Sequence, residues 1–259
     1  MSELQFDDEI SRIQEAISGT PAFLQQRAET LEALAPSPRE DLLDLGCGTG
    51  HMLLDVAKAV GPSGRVHGLD ASEDMLSLAG QRCAGVVDVD LHQGDLYDLP
   101  FPAGSLDAVF SVQVFEYLPD VAAALGEIYR VLRPGGRVLI RDVDWSAQLW
   151  RSSDPIRMQE VMEVWDQHLV DPHLPQTLSP RLRESGFQLD SVRGIATVEI
   201  ECSKTSMNYH LIKFIQPYVV AEGFDERRAE AWASNLFELH ERGDYFFSHV
   251  GYAFVARKP

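Results

Sequence analysis

The run Asp44-Leu45-Gly46-Cys47-Gly48-Thr49-Gly50 constrains this chain more than any other segment. It joins an apolar, strand-like stretch (DLLDLG, 41–46) to a helix-like stretch at 50–60. Glycines at alternate positions let a backbone turn sharply and meet a ligand with no Cβ in the way. Free N–H groups opening the next helix add local positive potential. A lone GxGxG also makes ordinary tight turns. This one follows the first strong strand, opens a helix, and has the acid Asp44 two residues before its first glycine.

The alternation continues down the chain. Strands are read at 65–70, 89–95, 106–114 and 137–144, with helices at 72–82 and 120–132, the latter stopped by Arg133-Pro134-Gly135-Gly136. Strands separated by helices of about ten residues imply βαβ units and a parallel sheet. Two helices, 5–18 and 22–35, precede it, broken by Gly19 and Pro21. After residue 145 the rhythm changes: a helix at 154–170, a loop DPHLPQ, a short helix around 179–185, a strand over FQLDSVRGIATVEIE, helix over 204–242 with a break near Gly223, and an alternating run YFFSHVGYAFVARK. The expectation is a single domain: N-terminal helices (1–39), a ligand-binding core (40–145), and helical insertions at 147–178 and 203–243. In open α/β sheets ligands sit outside the carboxyl ends of the strands, so the insertions are expected to roof the active site.

Charge narrows the partners. Forty acidic against 22 basic residues give a net charge of −18. Such a surface repels phosphate backbones and anionic lipid heads, which disfavours bulk nucleic acid and membrane as partners, a local basic patch aside, and leaves a homodimer open. Cys47, Cys83 and Cys202 show no CxxC spacing, and His168 and His173 have no third ligand, so neither disulfide framework nor metal is expected. The acidic N-terminus lacks a basic region followed by an apolar run, and the cytoplasm is the default location.

Asp70 ends the second strand in HGLDAS, where a carboxylate accepts hydrogen bonds from ribose hydroxyls; it or Ser72 could equally cap the next helix. Gly94-Asp95-Leu96 follows the third strand and offers an acceptor to an exocyclic amine. The order LLDLGCGTG, GLDAS, GDLYDLPFP, LDAVFS, FEYL and YRVLRPGGRVLI resembles class I S-adenosylmethionine-dependent methyltransferases, notably the small-molecule group similar to ubiquinone/menaquinone-biosynthesis enzymes. The resemblance covers about residues 40–145. It implies a Rossmann-like α/β fold: a seven-stranded, mostly parallel sheet with its last strand antiparallel and helices on both faces. An NAD-type oxidoreductase fits less well, since that fingerprint prefers GxGxxG and leaves LRPGG unexplained.

Residue by residue, the resemblance implies that Asp44, Gly46, Cys47, Gly48 and Gly50 hold the methionine portion of S-adenosylmethionine. Asp70, with Ala71, would take the ribose, Met75 would pack on adenine, and Gly94, Asp95 and Leu96 would meet its edge. Ser111, Val112 and Gln113 would line the methyl-bearing end, and Arg27 could pair with the cofactor's carboxylate or remain a solvated helix charge. Phe115, Glu116 and Tyr117 would face the substrate, a small-molecule methyl acceptor. Asp142 and Asp144 share a strand face beside Trp145 and are read either as receivers of a cationic or amine acceptor or a base, or as strand-end carboxylates in solvent or paired with an arginine. Tyr209, His210, Phe214 and Tyr218 form a stripe that is core or pocket, with His210 its substrate candidate; His249 is read as structural. Asp144, Glu116 and Tyr117 are the candidate proton-handling groups, although methyl displacement at a sulfonium needs a base only for unactivated hydroxyls or protonated amines. The alternative function is a cofactor-binding, non-catalytic partner subunit.

Overall fold

The computed structural model describes residue 13, residues 15–86 and residues 89–259. Of the helix expected over 5–18, only 13 and 15–18 fall within the described residues, and these are helical. Among the described residues there are eight strands: β1 (Asp41–Leu45), β2 (Arg65–Asp70), β3 (Asp90–Gln93), β4 (Leu106–Val112), β5 (Leu132–Val143), β6 (Leu149–Trp150), β7 (Gln188–Glu199) and β8 (Phe247–Arg257). The helices are α1 (Pro21–Leu34), α2 (His51–Val60), α3 (Glu73–Cys83), α4 (Val121–Val131), α5 (Pro155–Trp165), α6 (Leu174–Glu184), α7 (Met207–Ala221) and α8 (Glu226–Glu241).

The chain divides into two compact units. The α/β unit comprises Arg27–Val143, His173–Ile195 and Gly251–Pro259. Its strands run in the order β3-β2-β1-β4-β5-β8, with β7 also paired to β8. β1 to β5 pair in parallel, whereas β8 runs antiparallel to β5 from Arg137↔Arg257 to Val143↔Gly251. These seven strands match the expected arrangement, and the two-residue β6 adds an eighth to the same sheet. Strand alternation sends successive side chains to opposite faces and builds two cores. Leu43, Val109, Val138 and Ile140 pack with Leu125 and Ile128 of α4 and Leu178 and Leu182 of α6. Leu42, Ala108, Phe110 and Leu139 pack on the other face with Leu34 of α1 and Leu53 and Val56 of α2. Ser72 and Asp120 cap α3 and α4 by accepting from Met75 N and Ala123 N, each cap contributing about 1 kcal/mol.

Two expectations are corrected. Pro and Gly in LRPGG predict a stop between helix and strand, but β5 begins at Leu132 and runs through it. An irregularity between Leu106 and Ala108 absorbs the kink, while Gly135 and Gly136 exchange backbone hydrogen bonds with Lys258, both 2.8 Å. DPHLPQ was read as a loop, but Leu174 already opens α6, with Pro175 in its first turn where a missing N–H costs nothing.

The helical unit comprises the described residues up to Gln26, Asp144–Pro172 and Ala196–Val250. Here the two-residue β6 pairs with Phe247 and Ser248. Trp232 of α8 meets Trp150 edge-on at 5.6 Å, and the Trp150 indole donates to the Tyr245 hydroxyl at 2.7 Å. Trp165 of α5 is ringed by Trp145, His168, Phe214 and Tyr218 at 4.0–5.8 Å. The stripe on α7 therefore divides: Phe214 and Tyr218 pack on Trp165, while Tyr209 turns to Phe237 at 5.6 Å. Among the described residues no helix is long and apolar enough to cross a membrane.

Candidate functional site

β1 ends in a turn whose glycines all take left-handed conformations: φ is 76° at Gly46, 51° at Gly48 and 80° at Gly50. L side chains rarely tolerate this region. Space adds a second constraint at two of them. A Cβ on Gly46 would lie 2.5 Å from Val114 Cγ2, and one on Gly50 would lie 2.8 Å from Ala79 Cβ. At Gly48 the same atom would meet nothing within 4 Å, so the loop opens into free space there. That is the shape of a cradle for a ligand lying against backbone.

Asp70, at the carboxyl end of β2, fastens this loop. Its Oδ2 accepts from Gly48 N at 2.8 Å and its Oδ1 from Ser72 N at 3.0 Å. Ser72 is the helix cap, so both roles weighed for this pair coexist. The carboxylate keeps lone pairs for further donors, such as a ribose diol. Asp44 is buried, and its Oδ2 has no hydrogen-bond partner. Burial first, and the charge of Asp70 second, push its carboxyl well above the usual carboxylate range. Cys47 is also buried, its thiol pushed far up by burial and by the two carboxylates, which fits a small filler beneath the loop rather than a nucleophile.

The remaining cofactor candidates lie along the same strand ends. Asp95 is exposed and accepts from Tyr97 N at 2.9 Å, Leu96 is half-buried against the core, and Gly94 N donates to Asp70 O at 3.1 Å. Exposed Ala71 accepts from Gln93 Nε2 through its carbonyl, and Met75 is buried. Val112 packs against the second core, Ser111 Oγ donates to Leu45 O at 2.8 Å, and Gln113 has a φ of 56°. Arg27 forms an ion pair with Asp55 at 2.9 Å and contacts His51 Nδ1 at 2.9 Å, beside the first turn of α2. It is not a solvated helix charge.

The acceptor candidates scatter more widely. Phe115 is wholly buried in the first core, so hydrophobic packing claims the ring that was expected to face substrate. Glu116 is also wholly buried, and Tyr117 closes a short 3-10 turn through Tyr117 N to Val114 O. Asp142 lies opposite Tyr252 in the β5–β8 register and is 1% exposed, so the solvated alternative is overturned for it. Burial outweighs the pull of Arg141 and of the facing Glu116, Val114 and Phe115 amides and pushes its pKa up to about 7. In the helical unit, Asp144 accepts from Ser146 N and Oγ at 3.1 and 2.6 Å and caps the turn that carries Trp145. His210 bonds the Lys204 carbonyl at 2.9 Å, and His249 contacts Gln26 at 3.1 Å as a buried structural histidine. Among the described residues no group of three His, Cys, Asp or Glu side chains is placed to hold a metal.

Arg141 and Gly251 escaped the sequence reading. Arg141 is 1% exposed, and a Cβ on Gly251 would fall 2.5 Å from its Nη2. The available signals were an arginine inside the apolar run VLIRDV and a glycine inside an alternating strand, which often marks close approach by another group.

Comparison with known proteins agrees with this geometry. A family profile described as "Methyltransferase domain" matches residues 43–140. The uncharacterized 37.1 kDa protein in transposon TN4556 of Streptomyces fradiae is 31% identical over 255 residues, covering 96% of this chain and 71% of its own length. Demethylmenaquinone methyltransferase of Lactococcus lactis is 41% identical over 115 residues. That match covers 44% of this chain and 46% of the relative, so the chain spans about half the length of this named enzyme. Among solved structures, Haemonchus contortus phosphoethanolamine N-methyltransferase 2 with S-adenosyl-L-methionine aligns with a TM-score of 0.64 at 22% identity. It covers 99% of this chain and 58% of that one, and shares the fold.

Proposed function

Because the chain belongs to the class I S-adenosylmethionine-dependent methyltransferases, we propose that it methylates a small-molecule acceptor. The observation that carries this reading is the glycine loop, three left-handed glycines opening into free space at Gly48 and fastened to Asp70. Such a seat fits S-adenosylmethionine. When bound, the cofactor supplies a methyl carbon on a positively charged sulfur, open to in-line displacement. Gly46, Cys47, Gly48, Gly50 and Asp44 hold its methionine portion, with Arg27 near the amino-acid end. Asp70 and Ala71 take the ribose; Met75, Gly94, Asp95 and Leu96 take the adenine; Val112 and Gln113 border the methyl.

The protein's contribution is mainly orientation and exclusion of water. Holding acceptor and donor in register supplies an effective molarity equivalent to roughly 7–11 kcal/mol with no base required. Glu116, Tyr117 and Asp144 are the groups proposed to handle a proton where the acceptor carries one. Asp142, Trp145 and His210, with segments 147–178 and 203–243, are proposed to select the acceptor. A small metabolite accords with the net charge of −18 and with the quinone precursor named for the Lactococcus relative. All three cysteines are free and buried, which supports a reducing, cytoplasmic setting.

The test is label transfer from methyl-tritiated S-adenosylmethionine to a panel of phenols, hydroquinones, amines and thiols. Incorporation into one class by the wild type, abolished in Asp70→Ala, is expected. Incorporation that Asp70→Ala leaves untouched would contradict the assignment.

A further inference from the structure

Gln113 is one of three non-glycine residues with positive φ among those described. It directly follows β4, at the carboxyl end of the sheet. Glutamine has no intrinsic preference for the left-handed region, and residues held there persist only where the surroundings over-determine them. The hold here is Arg141. Gln113 N donates to the Arg141 carbonyl at 2.8 Å, and Arg141 Nη1 donates to Gln113 Oε1 at 3.3 Å. One residue grips the other by main chain and side chain together.

Arg141 is itself seated by an unusual feature. It is fully buried, and burial pulls its pKa down against the opposing pull of Asp142, Glu116 and Glu29. A Cβ on Gly251 would lie 2.5, 2.7 and 2.8 Å from its Nη2, Cζ and Nε. The guanidinium thus lies flat on the Gly251 backbone, in space that only glycine leaves open. Gly251 does not have a positive φ, so room rather than conformational freedom explains this glycine.

The other end of the chain of contacts reaches the glycine loop. Val114 follows Gln113 and sits where a Cβ on Gly46 would lie, with Cγ2 at 2.5 Å and Cγ1 at 3.1 Å. The backbone setting of Gln113 therefore fixes how Val114 packs on Gly46. We propose that Arg141, seated on Gly251, is a positioning residue for methyl transfer: by locking Gln113 in its left-handed conformation it fixes the Gln113–Val114 turn against Gly46 and so the seat of the cofactor's sulfonium end. This rests on the reading that Gln113 and the glycine loop border S-adenosylmethionine.

S-adenosylmethionine and S-adenosylhomocysteine differ only in the methyl and its charge, so their affinity ratio reports that seat. Calorimetric titration with both ligands compares the wild type with Gln113→Asn, Gly251→Ala and Arg141→Met, with thermal unfolding measured beside it. Asparagine tolerates positive φ on its own, so Gln113→Asn keeps the turn without the guanidinium contact and is the control, expected to leave the affinity ratio near that of the wild type whatever its melting temperature. Arg141→Met, which leaves glutamine at 113 without its lock, should weaken S-adenosylmethionine about tenfold and S-adenosylhomocysteine clearly less. Gly251→Ala should shift the ratio in the same direction. Arg141→Met and Gly251→Ala proteins whose two affinities fall together, or do not fall at all, would reduce Arg141 to a packing element and overturn the inference. Folded wild-type protein that binds neither ligand would overturn the cofactor reading, and this inference with it.

Discussion

A carboxyl sealed from water resists ionisation, and Asp142 shows the consequence for stability. Burial raises its folded-state pKa to about 7, against the opposing pull of the Glu116 amide, Arg141 and the Val114 and Phe115 amides. The unfolded chain ionises this group near its ordinary value of 3.8 while the folded chain keeps it protonated. The folded state therefore binds more protons between these values, and stability falls as pH rises through that window. Asp142→Asn removes the ionisation. Urea unfolding at pH 5 and pH 8 should show a wild-type loss on the order of a few kcal/mol that the variant largely escapes. Asp44, raised for the same reason, leaves some dependence behind. Parallel pH profiles for the two proteins would contradict a neutral Asp142. The tight turn at the three loop glycines and the strand-end place of Asp70 were legible from sequence because both follow from backbone geometry where a strand meets a helix. Arg141 was not, because an arginine is normally exposed and its burial depends on Gly251, 110 positions away in the chain.

At the scale of elements, the tightest approach is between the opening of α2 and the body of α3. Gly50 has a φ of 80°, and a Cβ there would lie 2.8 Å from Ala79 Cβ and 2.9 Å from its Cα. Neither atom belongs to a flexible side chain, so one of the two helices would have to move. Gly50→Ala should cost about 2–3 kcal/mol, combining backbone strain with overpacking, and lower the thermal midpoint by several degrees. An unchanged midpoint would mean the helices are not packed this closely. Strands β1, β2, β4 and β8 were legible because apolar runs or strict alternation admit few other readings. LRPGG and DPHLPQ misled because Pro and Gly are local turn signals, whereas the fold uses them for a strand irregularity and a helix first turn. Phe115 misled differently: motif position placed it beside substrate, and the hydrophobic core claimed its ring.

For the whole molecule, the chain builds two units from interleaved segments, so the α/β unit is completed only by His173–Ile195 and Gly251–Pro259. The sequence shows where the strand–helix rhythm breaks but not which late segments return to the sheet. That choice is made by long-range strand pairing, as when β8 joins β5 across more than a hundred residues. The net charge of −18 acts at this scale too, steering the molecule away from polyanions while leaving a sulfonium ligand welcome. The central claim is that the glycine loop and Asp70 together hold S-adenosylmethionine. It is tested most directly by calorimetric titration of S-adenosylmethionine into the wild type and into Asp70→Ala, with folding of both checked by circular dichroism. Stoichiometric binding to the wild type is expected, with at least about a tenfold loss in the variant, the size expected for removing hydrogen bonds to a charged acceptor. Equal affinity in the two folded proteins, or no binding to the wild type, would contradict it.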